Sequence, residues 1–287
     1  MTRREVKGDL PMSFVDLHLH LLPGVDDGAP TLASSLAHAR RMVAEGVGHA
    51  TVTPHVHPAW PWDRATLPDR LAELRAALRA EGIPLRVEAG GELDARLAAE
   101  LSSTELETFA HGPEGRLWLL VETPWGGVDA ELETILAGLR ARGFGALLAH
   151  PERSADFLPH GLERLRSELT AGTLLQVNVC SLLGRHGPGI QRAAEYLVRN
   201  RLAFVLASDG HPGTREHTLR LGFDLALTAG ASSLGAWRLT QANPRFLLEQ
   251  GILPAQDPIP ALPAAVPASP GAVARAREAR RALTSRR

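Results

Sequence analysis

The segment VDLHLHLLPGVDDG, residues 15–28, places Asp16, His18, His20, Asp26 and Asp27 in one short stretch of an otherwise aliphatic chain. On a strand, positions 16, 18 and 20 share a face, so His18 and His20 can converge on a single ion. One His-x-His pair is weak evidence by itself, because a buried histidine is more often a hydrogen-bonded core residue than a ligand. Its meaning depends on what the other strands carry.

Outward from this segment, short aliphatic or β-branched runs recur at 14–20, 49–55, 85–90, 117–123, 145–150, 174–179 and 203–209, which read as seven strands. Amphipathic stretches near 31–45, 66–81, 129–142, 161–171, 188–200 and 216–229 separate them, and a further helix runs up to Gln250. Several of the helical stretches close on glycine, as a helix C-terminus does. This alternation predicts an α/β fold of strand–helix units around a largely parallel sheet. A chain of 287 residues with 44% apolar content can build one large α/β barrel or two ordinary domains.

The formal net charge of -1 gives no global attraction to nucleic acid, and no apolar run is long enough for membrane insertion. Residues 1–13 form a charged N-terminal extension without a signal-type apolar core, and Met12 offers an alternative start. Cys180 is the only cysteine, so no internal disulfide framework exists and a cytoplasmic, reducing address is expected. The folded domain is expected to span 14–252. Residues 253–287, rich in Pro and Ala and then in Arg, read as a tail outside it.

Nearly every strand carries an imidazole or carboxylate at its C-terminal end: His55 on the second, Glu92 just after the third, Glu122 on the fourth, His150 on the fifth, and Asp209 with His211 on the seventh. In parallel α/β barrels that rim is where residues from separate strands meet. Crowded carboxylates there repel and are costly to bury unless cations neutralise them. Asp26 and Asp27 lie over the same rim, and one of them can join. The candidate ligand set is His18, His20, Asp27, His55, Glu92, Glu122, His150, Asp209 and His211, too many for one ion and suited to two or three. Nitrogen and oxygen donors without thiolate fit Zn, Mn or Fe. Three divalent ions among four carboxylates leave a small positive charge that suits a phosphate dianion, and metals make hydroxide available near neutral pH. Arg153 in HPER and Arg215 in DGHPGTRE are candidates to hold phosphoryl oxygens.

DLHLHLLPGVDDGA, TPHVHP, GGEL, VETP, AHPER, QVN and ASDGHPGTR occur in this order, and together they resemble the PHP (polymerase and histidinol phosphatase) superfamily. Within it they are similar to the CpsB/CapC-type protein-tyrosine phosphatases of bacterial capsule and exopolysaccharide operons. The resemblance runs from about Phe14 to Ile252 and implies a distorted (β/α)7 TIM-like barrel with three divalent metal ions at its C-terminal rim. By motif, His18, His20, Glu92 and Asp209 would hold one ion. Glu92 would bridge to a second held by Glu122 and His150, and Asp27, His55 and His211 would hold the third. Arg153 matches the family's phosphate-binding arginine, and Arg215 follows a loop one residue shorter than the family's. Asn178 falls in the QVN segment, near the site or orienting its strand.

The resemblance implies hydrolysis of phosphotyrosine in the C-terminal tail of a partner bacterial tyrosine kinase, and a capacity to form homo-oligomers. Direct attack of a metal-bridging hydroxide is the expected mechanism. Trp60, Trp62 and Trp125 follow rim strands and can flank an aromatic ring, with loop packing as the plainer role, and His57 is a candidate general acid. Asp16 is expected to fix a histidine tautomer. The alternatives are a PHP-type histidinol-phosphate phosphatase or other small-molecule phosphoesterase, and a non-catalytic metal-stabilised module that binds a kinase tail. A cysteine phosphatase needs Arg six positions after its Cys, whereas Cys180 has His186 there. His38 and His49 are expected to be solvent-facing or capping, and His111, His160, His186 and His217 have no role.

Overall fold

The computed structural model describes residues 13–155, 157, 162–253 and 278. The N-terminal extension up to Met12, His160 and nearly all of the expected tail lie outside the described residues. The strands are β1 (Phe14–Asp16), β2 (Val47–Val52), β3 (His55–Val56), β4 (Arg86–Ala89), β5 (Glu92–Leu93), β6 (Trp118–Glu122), β7 (Gly145–Ala149), β8 (Leu174–Asn178) and β9 (Val205–Ala207). All pair in parallel, in the orders β1-β2-β4 and β3-β5-β6-β7-β8-β9.

Two of the expected strands are each broken in two. Pro54, which has no N–H to donate, separates β2 from β3, and Gly90–Gly91 separates β4 from β5. Backbone bonds nevertheless bridge the breaks: Thr53 N–H donates to Leu19 C=O (2.8 Å), Gly90 N–H to Val52 C=O (2.9 Å) and Glu92 N–H to Pro54 C=O (3.1 Å). The first and last strand segments then close on each other, with Asp209 N–H on His18 C=O and His20 N–H on Gly210 C=O, both at 3.0 Å. Seven chain segments thus form one ring, a distorted (β/α)7 TIM-like barrel. Regular strand geometry ends earlier than 14–20 and 203–209 predict, at Asp16 and Ala207, because both chains bend into the rim.

Alternation along the strands sorts their side chains. Val15, Leu17, Trp118, Leu120, Leu147, Ala149, Leu174 and Val205 form one buried cluster with Leu247 and Ile252. The intervening Leu119, Val121, Leu148, Leu175 and Val177 join the larger cluster beneath the helices. The first cluster plugs the barrel, and each fully buried Leu or Trp in it contributes roughly 2 kcal/mol relative to exposure. The helix Asn243–Gln250 and Ile252 close its lower end, where Trp118 Nε1–H donates to Leu247 C=O (2.9 Å) and Ile252 N–H to Arg116 C=O (3.1 Å). Polar inward positions above the plug make the rim.

The helices expected from periodicity are α1 (Leu32–Ala44), α2 (Leu67–Ala80), α5 (Ala130–Ala141), α6 (Leu162–Thr170), α8 (Pro188–Arg199) and α9 (Leu219–Thr228). Three short helices have no sequence forecast: α3 (Ala95–Glu100), α4 (Ser103–Glu107) and α7 (Val179–Leu183). Each of the first two starts on a side-chain cap, Asp94 on Leu97 N–H and Ser102 on Glu105 N–H, too short a run for periodicity to register. Up to Gln250 the single expected helix resolves into α10 (Ser233–Trp237), a π-helical turn and α11 (Asn243–Gln250). No described helix is long and apolar enough to cross a membrane.

His38 is not solvent-facing as expected: α1 buries it to 1% exposure against the rim. His49, in β2, is half-buried rather than solvent-facing or capping, with its Nε2 3.0 Å from Glu88 Oε1. His111 is buried as well, paired through its backbone with Trp118 and packed on the indole at 4.7 Å between ring centroids. His38 and His49 were misjudged because neighbours distant in sequence cover them.

Candidate metal centre

Glu92 is the hub of the rim. Its Oε2 lies 3.1 Å from His18 Nε2, 3.2 Å from His20 Nε2 and 3.2 Å from His55 Nδ1, while Oε1 lies 2.7 Å from His150 Nε2. Asp209 Oδ1 stands 3.5 and 3.4 Å from His18 and His20 Nε2. Asp27 Oδ1 stands 3.2 Å from His211 Nε2 and 3.5 Å from His55 Nε2, and Glu122 Oε2 is 4.0 Å from His55 Nδ1. The structure therefore brings all nine expected donors together. They fall into four overlapping groups: His20, Asp27, His55 and His211; His18, His20 and Asp209; His18, Glu92 and His150; and His55, Glu92 and Glu122.

Whether these residues fit cations can be read from the imidazoles. His18 Nδ1–H donates to Gln176 Oε1 (3.0 Å) and His20 Nδ1–H to Asp26 Oδ2 (2.8 Å). Each neutral ring then carries a bare lone pair on Nε2. Those two nitrogens face each other at 3.1 Å, beside carboxylate oxygens of Glu92 and Asp209. Lone pairs and anions converging in a buried space repel; a shared cation removes the conflict. His55 Nδ1, buried and without a hydrogen-bond partner, points the same way.

The protonation balance carries the same message. Burial opposes charge on His18 and His55, but neighbouring carboxylates, Glu92 first among them, outweigh it and raise both rings above the usual range. Burial pushes the Glu122 carboxyl up to about 7, helped by the charge of Glu92. Backbone strain marks the same positions, since His150 (φ 36°) and Asp209 (φ 47°) are left-handed non-glycine residues. Such a conformation costs of order 1–3 kcal/mol and persists where a site requires it.

The choice between Asp26 and Asp27 follows from their bonds. Asp26 accepts the Gly28 N–H (2.9 Å), the His55 N–H (2.9 Å) and the His20 ring, so both its oxygens are engaged. Asp27 keeps its carboxylate toward His55 and His211. Asp16 does not fix an imidazole tautomer as expected: its Oδ1 accepts the backbone N–H of Ser208 (3.1 Å) and of His18 (3.4 Å). The chain bends after Asp16, so its carboxylate points at the strand backbones instead, and Asp26 and Gln176 take the tautomer-setting role. Gln176 was missed, although its spacing of two from Asn178 on β8 puts both on the inward face.

Arg153 Nη1 lies 3.2 Å from Asp209 Oδ2, and Arg215 Nη2 lies 3.3 Å from Asp209 Oδ1. Both guanidinium groups thus reach the centre. A cleft of about 240 Å³ opens beside Glu122, lined by His57, Thr123, Trp125 and Leu132 among others. Trp125 is 71% exposed, and the Arg153 guanidinium sits 5.7 Å from its ring centroid. Trp60 stacks on His55 at 6.1 Å between centroids, whereas Trp62 donates its indole N–H to His55 C=O (2.8 Å) and holds that strand end. Cys180 is buried in α7, and burial pushes its thiol up to about 12.

The family described as "Capsular polysaccharide synthesis, CpsB/CapC" matches residues 14–225. The chain belongs to this family. The match covers the whole barrel wall and ends inside α9, so the plug-closing segment α10–Ile252 lies beyond it. Among similar proteins, the tyrosine-protein phosphatase YwqE of Bacillus subtilis is 28% identical over 198 residues, 69% of this chain and 77% of that one. The tyrosine-protein phosphatase CpsB of Streptococcus agalactiae serotype V is 26% identical over 208 residues, covering 69% and 82%. A solved structure from the work on YwqE of B. subtilis and CpsB of Streptococcus pneumoniae, described as unique metal-dependent tyrosine phosphatases, superposes with a TM-score of 0.68. It is 25% identical and covers 86% of this chain and all of that one. An organophosphorus hydrolase of Deinococcus radiodurans shares the fold alone, with a TM-score of 0.52 at 15% identity over 83% of this chain and 93% of that one.

Proposed function

We propose that the protein is a metal-dependent protein-tyrosine phosphatase acting, in the cytoplasm, on a phosphotyrosine protein such as the tail of a bacterial tyrosine kinase of capsule or exopolysaccharide synthesis. The observation that carries this reading is the convergence of nine nitrogen and oxygen donors beneath two arginines, beside a cleft with an exposed indole. The family's description and the names of its relatives support the substrate class.

His18, His20 and Asp209, joined by Glu92, would hold one of three Mn, Fe or Zn ions; Glu92, Glu122 and His150 a second; and Asp27, His55 and His211 the third. Bound divalent ions supply Lewis acidity and bring the pKa of water down to about 7, so hydroxide for direct in-line attack on phosphorus is at hand without a phosphoenzyme. Arg153 and Arg215 spread the phosphoryl charge over guanidinium donors and orient the group for displacement. Trp125, with one face over which Arg153 sits, offers a wall for the substrate ring and keeps water from that side. His57 Nδ1 accepts the Ala59 N–H (2.9 Å), so the neutral ring carries its proton on Nε2 and can offer the departing phenolate oxygen a hydrogen bond from there. A phenol, with pKa near 10, needs that proton less than an alkoxide does. The buried, high-pKa thiol of Cys180 takes no part.

One substrate panel tests this reading. A phosphotyrosine peptide, a phosphoserine peptide and histidinol phosphate at equal concentration should be turned over in falling order of kcat/KM, with phosphotyrosine at least tenfold ahead. A preference for histidinol phosphate would replace the proposal with the small-molecule alternative, and metal content with no turnover of any of them would indicate the binding module. In the same panel His57→Ala should slow phosphotyrosine more than a nitrophenyl ester, whose leaving group needs no proton. Equal rates for wild type and variant on both esters would remove His57 from the mechanism.

A further inference from the structure

Behind the ion group His18–His20–Asp209 runs a chain of hydrogen bonds with a single direction. His18 Nδ1–H donates to Gln176 Oε1 (3.0 Å), Gln176 Nε2–H to Asn178 Oδ1 (2.7 Å), and Asn178 Nδ2–H to Asp209 Oδ2 (2.7 Å). The residues at its two ends meet again in front, where His18 Nε2 and Asp209 Oδ1 lie 3.5 Å apart. Two donors expected to share one ion are therefore joined behind it by two side-chain amides.

None of the four side chains can turn to water for an alternative partner: His18, Gln176 and Asn178 are fully buried, and Asp209 is 1% exposed. In such a space every donor must find its acceptor within the protein, and aligned bonds polarise one another. The direction follows from chemistry. Asp209 as a carboxylate can only accept, so Asn178 must present its NH2 there and its carbonyl oxygen to Gln176. Gln176 must then give its NH2 to Asn178 and its carbonyl oxygen to His18. That oxygen accepts only an N–H, which puts the neutral ring's proton on Nδ1 and the lone pair on Nε2. The backbone of Asn178 is pinned separately, its N–H donating to the buried Glu152 carboxylate (3.0 Å).

We infer that Gln176 and Asn178 are positioning residues that form a two-amide relay setting the tautomer of His18 and the orientation of Asp209 together, so that one ion meets a bare nitrogen and the carboxylate oxygen turned toward it. The inference rests on the reading of the rim as a metal centre. Its role is distinct from strand packing, which needs the volume of the two side chains but not their polarity. Asn178 Nδ2 and the Arg153 guanidinium both engage Asp209 Oδ2, while Oδ1 faces the two histidines and lies 3.3 Å from Arg215 Nη2.

Zinc affinity of the purified full chain, measured by titration against a competing chelator, separates these roles. Gln176→Met and Asn178→Leu keep most of the volume and remove the relay. Each should weaken one class of zinc sites by roughly 10–100-fold, the loss usual when the partner of a ligand is removed, and leave the other sites unchanged. Because a chain broken at either link is broken, the double variant should lose no more than about threefold beyond the worse single one. Gln176→Glu, assayed at a pH where its side chain is a carboxylate, retains the acceptor for His18 but cannot donate to Asn178; it should also fall at least tenfold, and it serves if the apolar variants do not fold. Wild-type affinity in Gln176→Glu, or losses that multiply in the double variant, would overturn the relay while leaving the metal centre standing. A wild-type protein that binds no zinc, manganese or iron would overturn both.

Discussion

Glu92→Gln is expected to reduce kcat/KM on a phosphotyrosine peptide by on the order of 10³ or more and to leave fewer ions per chain. The expectation follows from where the carboxylate stands. Its two oxygens lie within 3.2 Å of nitrogens from His18, His20, His55 and His150, and two of the four donor groups contain it. An amide of the same shape offers one weak acceptor and one donor, and the donor would face nitrogens whose lone pairs are meant for cations. Ions at such a site supply several kcal/mol of stabilisation to the charge that develops in the transition state. At 1.36 kcal/mol per factor of ten, losing about 4 kcal/mol accounts for the expected drop. Elemental analysis of the purified variant beside steady-state kinetics checks both halves. A variant with full metal content and near wild-type kcat/KM would show that Glu92 is a buried structural carboxylate.

Arg153→Ala should act differently, removing rate without removing metal. The guanidinium touches Asp209 Oδ2 from outside the donor set and is braced by Trp125. Its proposed partner is the phosphoryl group, whose charge grows toward the transition state. Removal of one preorganised donor to a developing anion typically costs about 10²–10³ in kcat. Arg153→Lys should restore only part of this, because an ammonium keeps the charge but not the planar pair of donors. Metal content per chain should equal wild type in both variants. Unchanged kinetics, or a loss that tracks metal content alone, would remove Arg153 from substrate binding and assign it to holding Asp209.

Most of the site was legible in the sequence because the donors sit at or just after the ends of short aliphatic runs. His55, Glu122, His150 and Asp209 close such runs, and parallel strands in a barrel put those ends on one rim. The same runs give seven strand segments, and their closure into a ring is what the resemblance to the family implies. What the runs miss depends on bends and on neighbours far away in sequence. Pro54 and Gly90–Gly91 split two strands, and a Cβ added at Gly90 would stand 2.3 Å from His111 Nε2. That contact is invisible until residues 90 and 111 are folded together. Asp16 shares the parity of His18 and His20 in sequence, yet the bend after it turns its carboxylate to Ser208. Asp26 and Asp27 look equivalent on paper. Only the three donors converging on Asp26 separate the residue that orients a ligand from the candidate ligand itself. The burial of His38 and the role of Ile252 as part of the barrel's plug belong to the same class, set by tertiary packing rather than by local pattern.

The central claim is that hydrolysis of phosphotyrosine here depends on bound divalent ions and on no thiol. The most direct measurement follows phosphate release from a phosphotyrosine peptide by wild-type protein and Cys180→Ser, before and after exhaustive chelation, with metal per chain determined in each sample. Equal turnover by the two proteins as purified, loss of activity in both on chelation, and recovery on return of a divalent ion such as Mn are the expected results. Activity that survives complete metal removal, or that disappears with the Cys180 thiol while the ions remain bound, would contradict it.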